Sequence, residues 1–263
     1  RVIKRFNNGS IELPVLPHIA REVQGLLKSE DPSIEDLAEI IQKDAVISAK
    51  LVLTANSPLY KGQDKVNTLN DALVRLGLKE ATTIITTVTT KNLFNANEDP
   101  LKSMLSKLWL HALACASCCK YLAEERKTKN LETVFLMGII HDIGKVLLLK
   151  AISDIAPDEP LDDPELISAV AEMHTVFGAV LIKKWGFSPG HVRAVELHHW
   201  ETYPEDIEPE LLIIRTADQM VNGLGFASTD SVEFPNMVEE PTEEFQAIVR
   251  QLGIEAEDLK KIG

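Results

Sequence analysis

A chain of 263 residues, 45% of them hydrophobic, can bury one large core or two modest ones, and its 5% of aromatic residues amid abundant Leu, Ile, Ala, Glu and Lys favours aliphatically packed helices over a sandwich or barrel. The formal charge of −13, from 40 Asp and Glu against 27 Lys and Arg, argues against general affinity for nucleic acid or an anionic membrane, since both require clustered cations. No apolar run reaches the roughly 18 residues of a membrane span, and Arg1-Val2-Ile3-Lys4 lacks the apolar core of a signal peptide, so a cytoplasmic location is expected. The chain begins without Met, as expected of a trimmed chain or a piece of a longer one.

Residues 10 to 98 read as a succession of short helices. Ser33-Ile34-Glu35-Asp36 resembles a capping box and leads into an apolar stripe of Leu37, Ile40 and Ile41. Val46 to Ala55 keeps a helical period, and Asn56-Ser57-Pro58 ends it because the residue before proline avoids the α region. Thr68-Leu69-Asn70-Asp71 repeats the cap, and Gly77 is placed to serve as the left-handed residue after a helix of 69 to 76. Six threonines between Ala81 and Thr90 favour a strand by propensity, but the apolar spacing and the flanks favour a helix, which is the expectation adopted.

Asn95-Ala96-Asn97-Glu98-Asp99-Pro100 is polar and turn-prone, and a second domain is expected to begin there. Helices are expected at about 101 to 125, 131 to 150, 163 to 185, 189 to 199 and 207 to 224, with Pro164 and Pro189 at first helical positions. An acidic, aperiodic loop over 226 to 241 and two short helices, 242 to 252 and 255 to 262, complete the chain. The predicted class is all-α, divided into an N-terminal helical bundle of 1 to 98, a helical metal-site core of 99 to 225 and a C-terminal segment of 226 to 263.

Chemistry concentrates in the second region. Leu136 to Val146 is an apolar run interrupted by His141, Asp142 and Lys145, and a buried Asp there implies a compensating partner, for which a divalent ion is effective. His111, His174, the pair His198-His199 and Asp218 each sit in another apolar helix pattern. In a bundle such faces converge, which is how imidazoles and carboxylates from separate helices assemble a two-metal centre. A lone helical His is more often a hydrogen-bonded packing residue, but five of the seven histidines join this pattern, leaving His18 and His191 outside. The three cysteines, Cys115, Cys118 and Cys119, crowd one helix, cannot form a relaxed disulfide framework, and fit a reducing compartment. A thiolate site from Cys115-x-x-Cys118-Cys119 with His111 is weighed against the commoner role of such Cys as small core residues, and the core role is preferred.

The order His111, His141-Asp142, Asp218 resembles the ligand set of the HD superfamily of metal-dependent phosphohydrolases. With His174, His198, His199 and Lys145 it resembles the extended set of the HD-GYP branch, which binds two metals and hydrolyses cyclic dinucleotides. Trp200-Glu201-Thr202-Tyr203-Pro204 departs from that branch's Gly-Tyr-Pro loop, and Lys107 stands where some members carry a Glu for a third metal, so at most two ions are expected. Leu13-Pro14-x-Leu16-Pro17, Leu37-Ala38 with Ile40-Ile41 and Asp44, Leu53-x-Ala55-Asn56-Ser57, Ala72, Leu76-Gly77, Trp109 and Phe135-x-x-Gly138-x-x-His141-Asp142-Ile143-Gly144 resemble the HDOD family over roughly residues 10 to 215. That resemblance implies a bacterial signalling or regulatory module with a protein partner or sister domain, and many members have lost the metal ligands that this chain keeps.

Three functions follow as expectations. The first is a regulatory HDOD module carrying a dinuclear site. The second is a phosphohydrolase acting on a cyclic dinucleotide or nucleotide, in which Asp142 bridges two ions, His111, His141 and Asp218 complete one site, His174, His198 and His199 the other, and Lys145 steadies phosphate oxygens. The third is a di-iron redox or oxygen sensor. The ligand types suit Fe, Mn, Zn or Ni.

Overall fold

The computed structural model describes residues 14–226 apart from 61, 63, 129–130 and 201–206. The expected loop beyond 226, the two terminal helices and most of the Trp200 to Pro204 loop lie outside the described residues. Among the described residues every regular element is helical, so the all-α class holds. The chain forms two compact units, Val15–Leu93 and a second made chiefly of the residues from Phe94 onward, a division slightly ahead of the expected 98/99.

In the first unit four helices follow one another: α1 (His18–Leu27), α2 (Ile34–Ile41), α3 (Ala45–Ala55) and α4 (Leu69–Lys91). Their starts are set by side-chain caps. Ser33 Oγ accepts from the Asp36 amide, Thr68 Oγ1 accepts from the Asp71 amide, and Asp44 Oδ1 accepts from the amides of Val46 and Ile47. The carboxylates of Asp36 and Asp71 take the cap hydroxyls rather than a backbone amide, a variation on the expected box. Val23, Leu37, Ile41, Ile47, Leu51, Ala55, Val66, Leu73 and Ile85 fill one apolar core between α1, α2, α3 and α4.

Asn56 explains why α3 stops where it does. Its Nδ2 donates to the carbonyls of Val52 and Val66 at 2.9 and 2.7 Å, and its Oδ1 accepts from the Val66 amide at 2.9 Å, stitching the helix end to the segment leading into α4. Gly77 breaks α4 into two helical stretches, but with φ 75 and ψ 164 it occupies a region open essentially to glycine alone, rather than the left-handed helical region expected. The threonine-rich stretch is helical. Thr82, Thr83, Thr86, Thr87 and Thr89 donate their hydroxyls to the carbonyls four residues earlier, so strand propensity yields to satisfied helical hydrogen bonds and burial.

The second unit contains α5 (Leu101–Glu125), α6 (Leu131–Ile140), α7 (Ile143–Ile155), α8 (Pro164–Lys184), α9 (Pro189–Leu197) and α10 (Pro209–Gly223). The long α5 packs against α6 and α10, while α8 packs against α7 and α9. Cys115, Cys118, Cys119, Val134, Met137, Ala194, Leu211 and Ile214 form a core among α5, α6, α9 and α10. The expected single helix of 131 to 150 is instead two, interrupted by a turn at His141-Asp142. On one continuous helix, adjacent residues diverge by about 100°, and the turn releases both side chains from that divergence.

By length and mean hydropathy alone α8 is apolar enough to cross a membrane. Glu172 and His174 interrupt it, so that it contains no continuous apolar run of the length sought in the sequence. In the structure it is a packed helix whose buried residues include Val170, His174, Phe177, Leu181 and Ile182, and Asp163 caps its start through the amides of Glu165 and Leu166.

Candidate metal centre

Five pieces of backbone deliver the polar side chains: α5 brings His111, the α6–α7 turn His141 and Asp142, α8 His174, the end of α9 His198 and His199, and α10 Asp218. Gly144 makes the convergence feasible. A Cβ there would stand 1.9 Å from the His174 carbonyl oxygen and 2.8 Å from the Gly178 amide nitrogen, so only glycine lets α7 approach α8 this closely. All seven expected donor residues come together, in two groups.

In the first group His111 Nε2 lies 3.2 Å from His141 Nε2 and 3.2 Å from Asp218 Oδ1, with His141 Nε2 3.7 Å from that oxygen. In the second, His174 Nε2 lies 3.3 Å from His198 Nε2, and His199 completes the set. Asp142 divides its oxygens between them. Oδ2 is 3.4 Å from His111 Nε2 and 3.5 Å from His141 Nε2, while Oδ1 is 3.2 Å from His174 Nε2 and 3.5 Å from His198 Nε2. Two donors each about 2.1 Å from a shared ion, at angles of about 90° to 109°, are separated by about 3.0–3.4 Å, so most of these spacings match the edges of a coordination polyhedron.

The imidazole protons follow from the outer hydrogen bonds. The Nδ1 atoms of His141, His174 and His198 sit 2.8, 2.6 and 2.9 Å from the carbonyl oxygens of Gly138, Ala171 and Val195, each three residues earlier, and His111 Nδ1 is 2.7 Å from the Phe226 oxygen. A carbonyl only accepts, so each Nδ1 carries a proton and each ring turns its Nε2 inward. Two Nε2 atoms facing each other across 3.2–3.3 Å, or facing a carboxylate, need a proton or a cation between them. Asp142 Oδ1, fully buried, accepts no hydrogen bond. These features fit a cationic occupant, and the outer carbonyls are of the kind that orient metal-ligating histidines.

Electrostatics agree with the arrangement. Burial works to raise Asp142, but Lys145, His141 and the imidazoles of His174 and His198 outweigh it and hold the carboxyl well below its usual range. Asp218 is likewise held low against burial, by His111 and His141. Burial pulls His198 down to about 4 and His199 to about 3, keeping both rings neutral and available as donors near neutral pH. For His141 burial pulls the same way, but Asp142 and Asp218 lift it above its ordinary value.

Lys145, 6% exposed, sets its ammonium 2.7 Å from Asp142 Oδ2. His199 is the open member: its side chain is 46% exposed, whereas those of His111, His141 and His198 are 0% exposed. One residue was missed in the sequence, and another was considered there as a ligand and set aside in favour of a core role. Asn222 donates to Asp218 Oδ1 at 2.9 Å, signalled only by its position one turn later on α10. Cys115, one turn after His111, turns its Sγ to within 3.5 Å of His111 Nε2 and joins the first donor group, whereas Cys118 and Cys119 do not. Burial raises the Cys115 thiol well above its ordinary pKa, with Asp218 and its neighbours adding to the shift.

An all-helical unit gathering an H…HD…D set defines an HD-type protein. More narrowly, the HDOD domain family matches residues 13–201, and the chain belongs to that family. A protein of Shewanella amazonensis SB2B, provisionally named a metal-dependent phosphohydrolase, has a crystal structure similar to this chain, with TM-score 0.72 and 25% identity over 98% of this chain and 90% of the other. An HDOD domain protein of unknown function from Geobacter sulfurreducens shares the fold, with TM-score 0.69 and 24% identity over 99% of this chain and 94% of the other. An uncharacterized protein of Treponema pallidum (strain Nichols) is 20% identical over 81% of this chain, which spans 43% of that relative's length.

Proposed function

We propose that the chain is an HDOD signalling module that holds two divalent ions, with Asp142 shared between them. The supporting observation is the division of the Asp142 oxygens between two groups of inward-facing imidazole Nε2 atoms. His111, His141 and Asp218 hold one ion, and His174, His198 and His199 the other. The regulatory part of this reading rests on membership of the HDOD family and involves a protein partner or sister domain. Elemental analysis of protein purified without chelator is expected to find about two ions per chain and almost none in Asp142→Ala; a content near zero in both removes the metal from the account.

A second reading, phosphohydrolysis, is favoured by the buried Lys145 beside Asp142 and by the similarity to the Shewanella protein. Ions bound there would polarise a phosphoryl oxygen and acidify a water. Asp142 and Asp218 stay ionised and His198 and His199 stay neutral, Asn222 orients Asp218, and Lys145 presents positive charge to phosphate oxygens beside Asp142. The half-exposed His199 marks the side from which a nucleotide phosphodiester enters. Metal-replete protein is expected to hydrolyse a cyclic dinucleotide or a generic phosphodiester, and complete inertness toward both leaves the regulatory module alone.

A further inference from the structure

We infer that the two halves of the centre differ in kind, because Cys115 supplies a thiolate to the His111, His141 and Asp218 half, which then prefers a thiophilic divalent ion. The inference rests on the metal-binding reading above and adds a ligand to it. Cys115 Sγ lies 3.5 Å from His111 Nε2, and the ligand atoms of Cys115, His111, His141 and Asp218 all lie within 4.8 Å of one another. A sulfur about 2.3 Å and a nitrogen about 2.1 Å from one ion, at a tetrahedral angle of about 109°, stand about 3.6 Å apart, so the observed spacing suits a shared ion.

Cys115 belongs to the apolar core, yet its Sγ also stands against the donor atoms. His111 and Cys115 are four residues apart on α5, so their side chains project from the same face, and that face meets Asp218 of α10 and His141 of the α6–α7 turn. Cys118 and Cys119 lie on the same helix and in the same apolar core but outside the donor group, which makes them internal controls. The second half, from Asp142, His174, His198 and His199, offers only nitrogen and oxygen. Soft thiolate ligation selects Zn²⁺, Co²⁺ or Cd²⁺, whereas an imidazole and carboxylate set suits Mn²⁺ and Fe²⁺ as well. On binding, the thiol proton leaves to solvent as the sulfur–metal bond forms, with no change of oxidation state.

Titration of the full chain with Co²⁺, after chelation and removal of the chelator, tests this. Visible ligand-field absorption reports uptake by the histidines and carboxylates, and a near-ultraviolet charge-transfer band reports sulfur. Both are expected in the native chain and in Cys118→Ser. Cys115→Ser is expected to lose the charge-transfer band, keep visible absorption from the second half, and bind Cd²⁺ about tenfold more weakly or worse, a loss that even outer-shell partners produce. Visible absorption without charge transfer in the native chain overturns the thiolate assignment and leaves the metal reading intact. Absence of both overturns the two together. A charge-transfer band that persists in folded Cys115→Ser also overturns it. Should Cys115→Ser fail to fold, survival of the band in Cys118→Ser and in Cys119→Ser assigns it to Cys115, and its loss in either overturns the assignment.

Discussion

The buried threonines and asparagine of the first compact unit and the buried histidines of the second are treated in opposite ways. In the first, Thr83, Thr86 and Thr89 are buried, yet each hydroxyl is consumed by a carbonyl of its own helix, and Asn56 spends both ends of its amide on backbone. In the second, His111, His141, His174 and His198 bond to backbone only through Nδ1 and turn the other nitrogen toward a buried carboxylate. Burial of a polar group in a helix is therefore no sign of a site by itself. What separates architecture from chemistry is whether the hydrogen-bonding capacity ends on the backbone or is left pointing at another side chain.

The sharpest way to break the contrast is Gly144→Ala. The added methyl meets backbone of α8 and forces α7 and α8 apart, so a loss of about 3 kcal/mol or more in urea unfolding and a fall in metal content are expected together. Unchanged stability with full metal content would contradict the close approach.

A smaller effect confined to architecture is expected of Asn56→Ala. It removes three hydrogen bonds at the end of α3 and is expected to cost about 2 kcal/mol while leaving metal content at the native level. Loss of metal without loss of stability would show that the division between the units has been misjudged.

The smallest effect is on pH dependence, measured on chelated protein. The pKa of His198 is about 4 in the folded protein against an ordinary 6.5, so the unfolded chain binds more protons between those values. Stability should therefore fall as pH drops from about 6.5 toward 4, with Asp142 and Asp218 extending the fall below their ordinary carboxylate values. His141, raised when folded, opposes this, because its contribution is present at acid pH and lost as pH rises through its folded value. Comparison with His198→Gln isolates the first component. The variant should show a shallower decline between pH 6.5 and 4, and an identical slope would mean that His198 is not held neutral.

Much of this fold could be read from the sequence because its signals are local. Ser33, Asp44 and Thr68 act on amides two or three residues away, Pro164 and Pro189 open helices, and the apolar stripes carry a helical period. The histidines and aspartates were visible for the same reason, as polar interruptions in apolar helices. The turn at His141-Asp142 was not, since the apolar pattern of Leu136 to Val146 continues on both sides of the pair with no proline to mark a break, and the close approach at Gly144 depends on a helix far along the chain. The bonds from Nδ1 to the carbonyls three residues earlier were equally hidden, because a sequence does not report a ring orientation. Cys115 looked like Cys118 and Cys119, and its distinct surroundings arise from α10 packing on α5 far along the chain.

The most direct test of the central claim, that one carboxylate serves two ions, is electron paramagnetic resonance of the chain reconstituted with Co²⁺, which suits both halves. A bridging Asp142 predicts the signal of a magnetically coupled pair, replaced in Asp142→Asn by uncoupled Co²⁺ or by none. Two uncoupled ions in the native chain, or a coupled pair that survives the substitution, would contradict it.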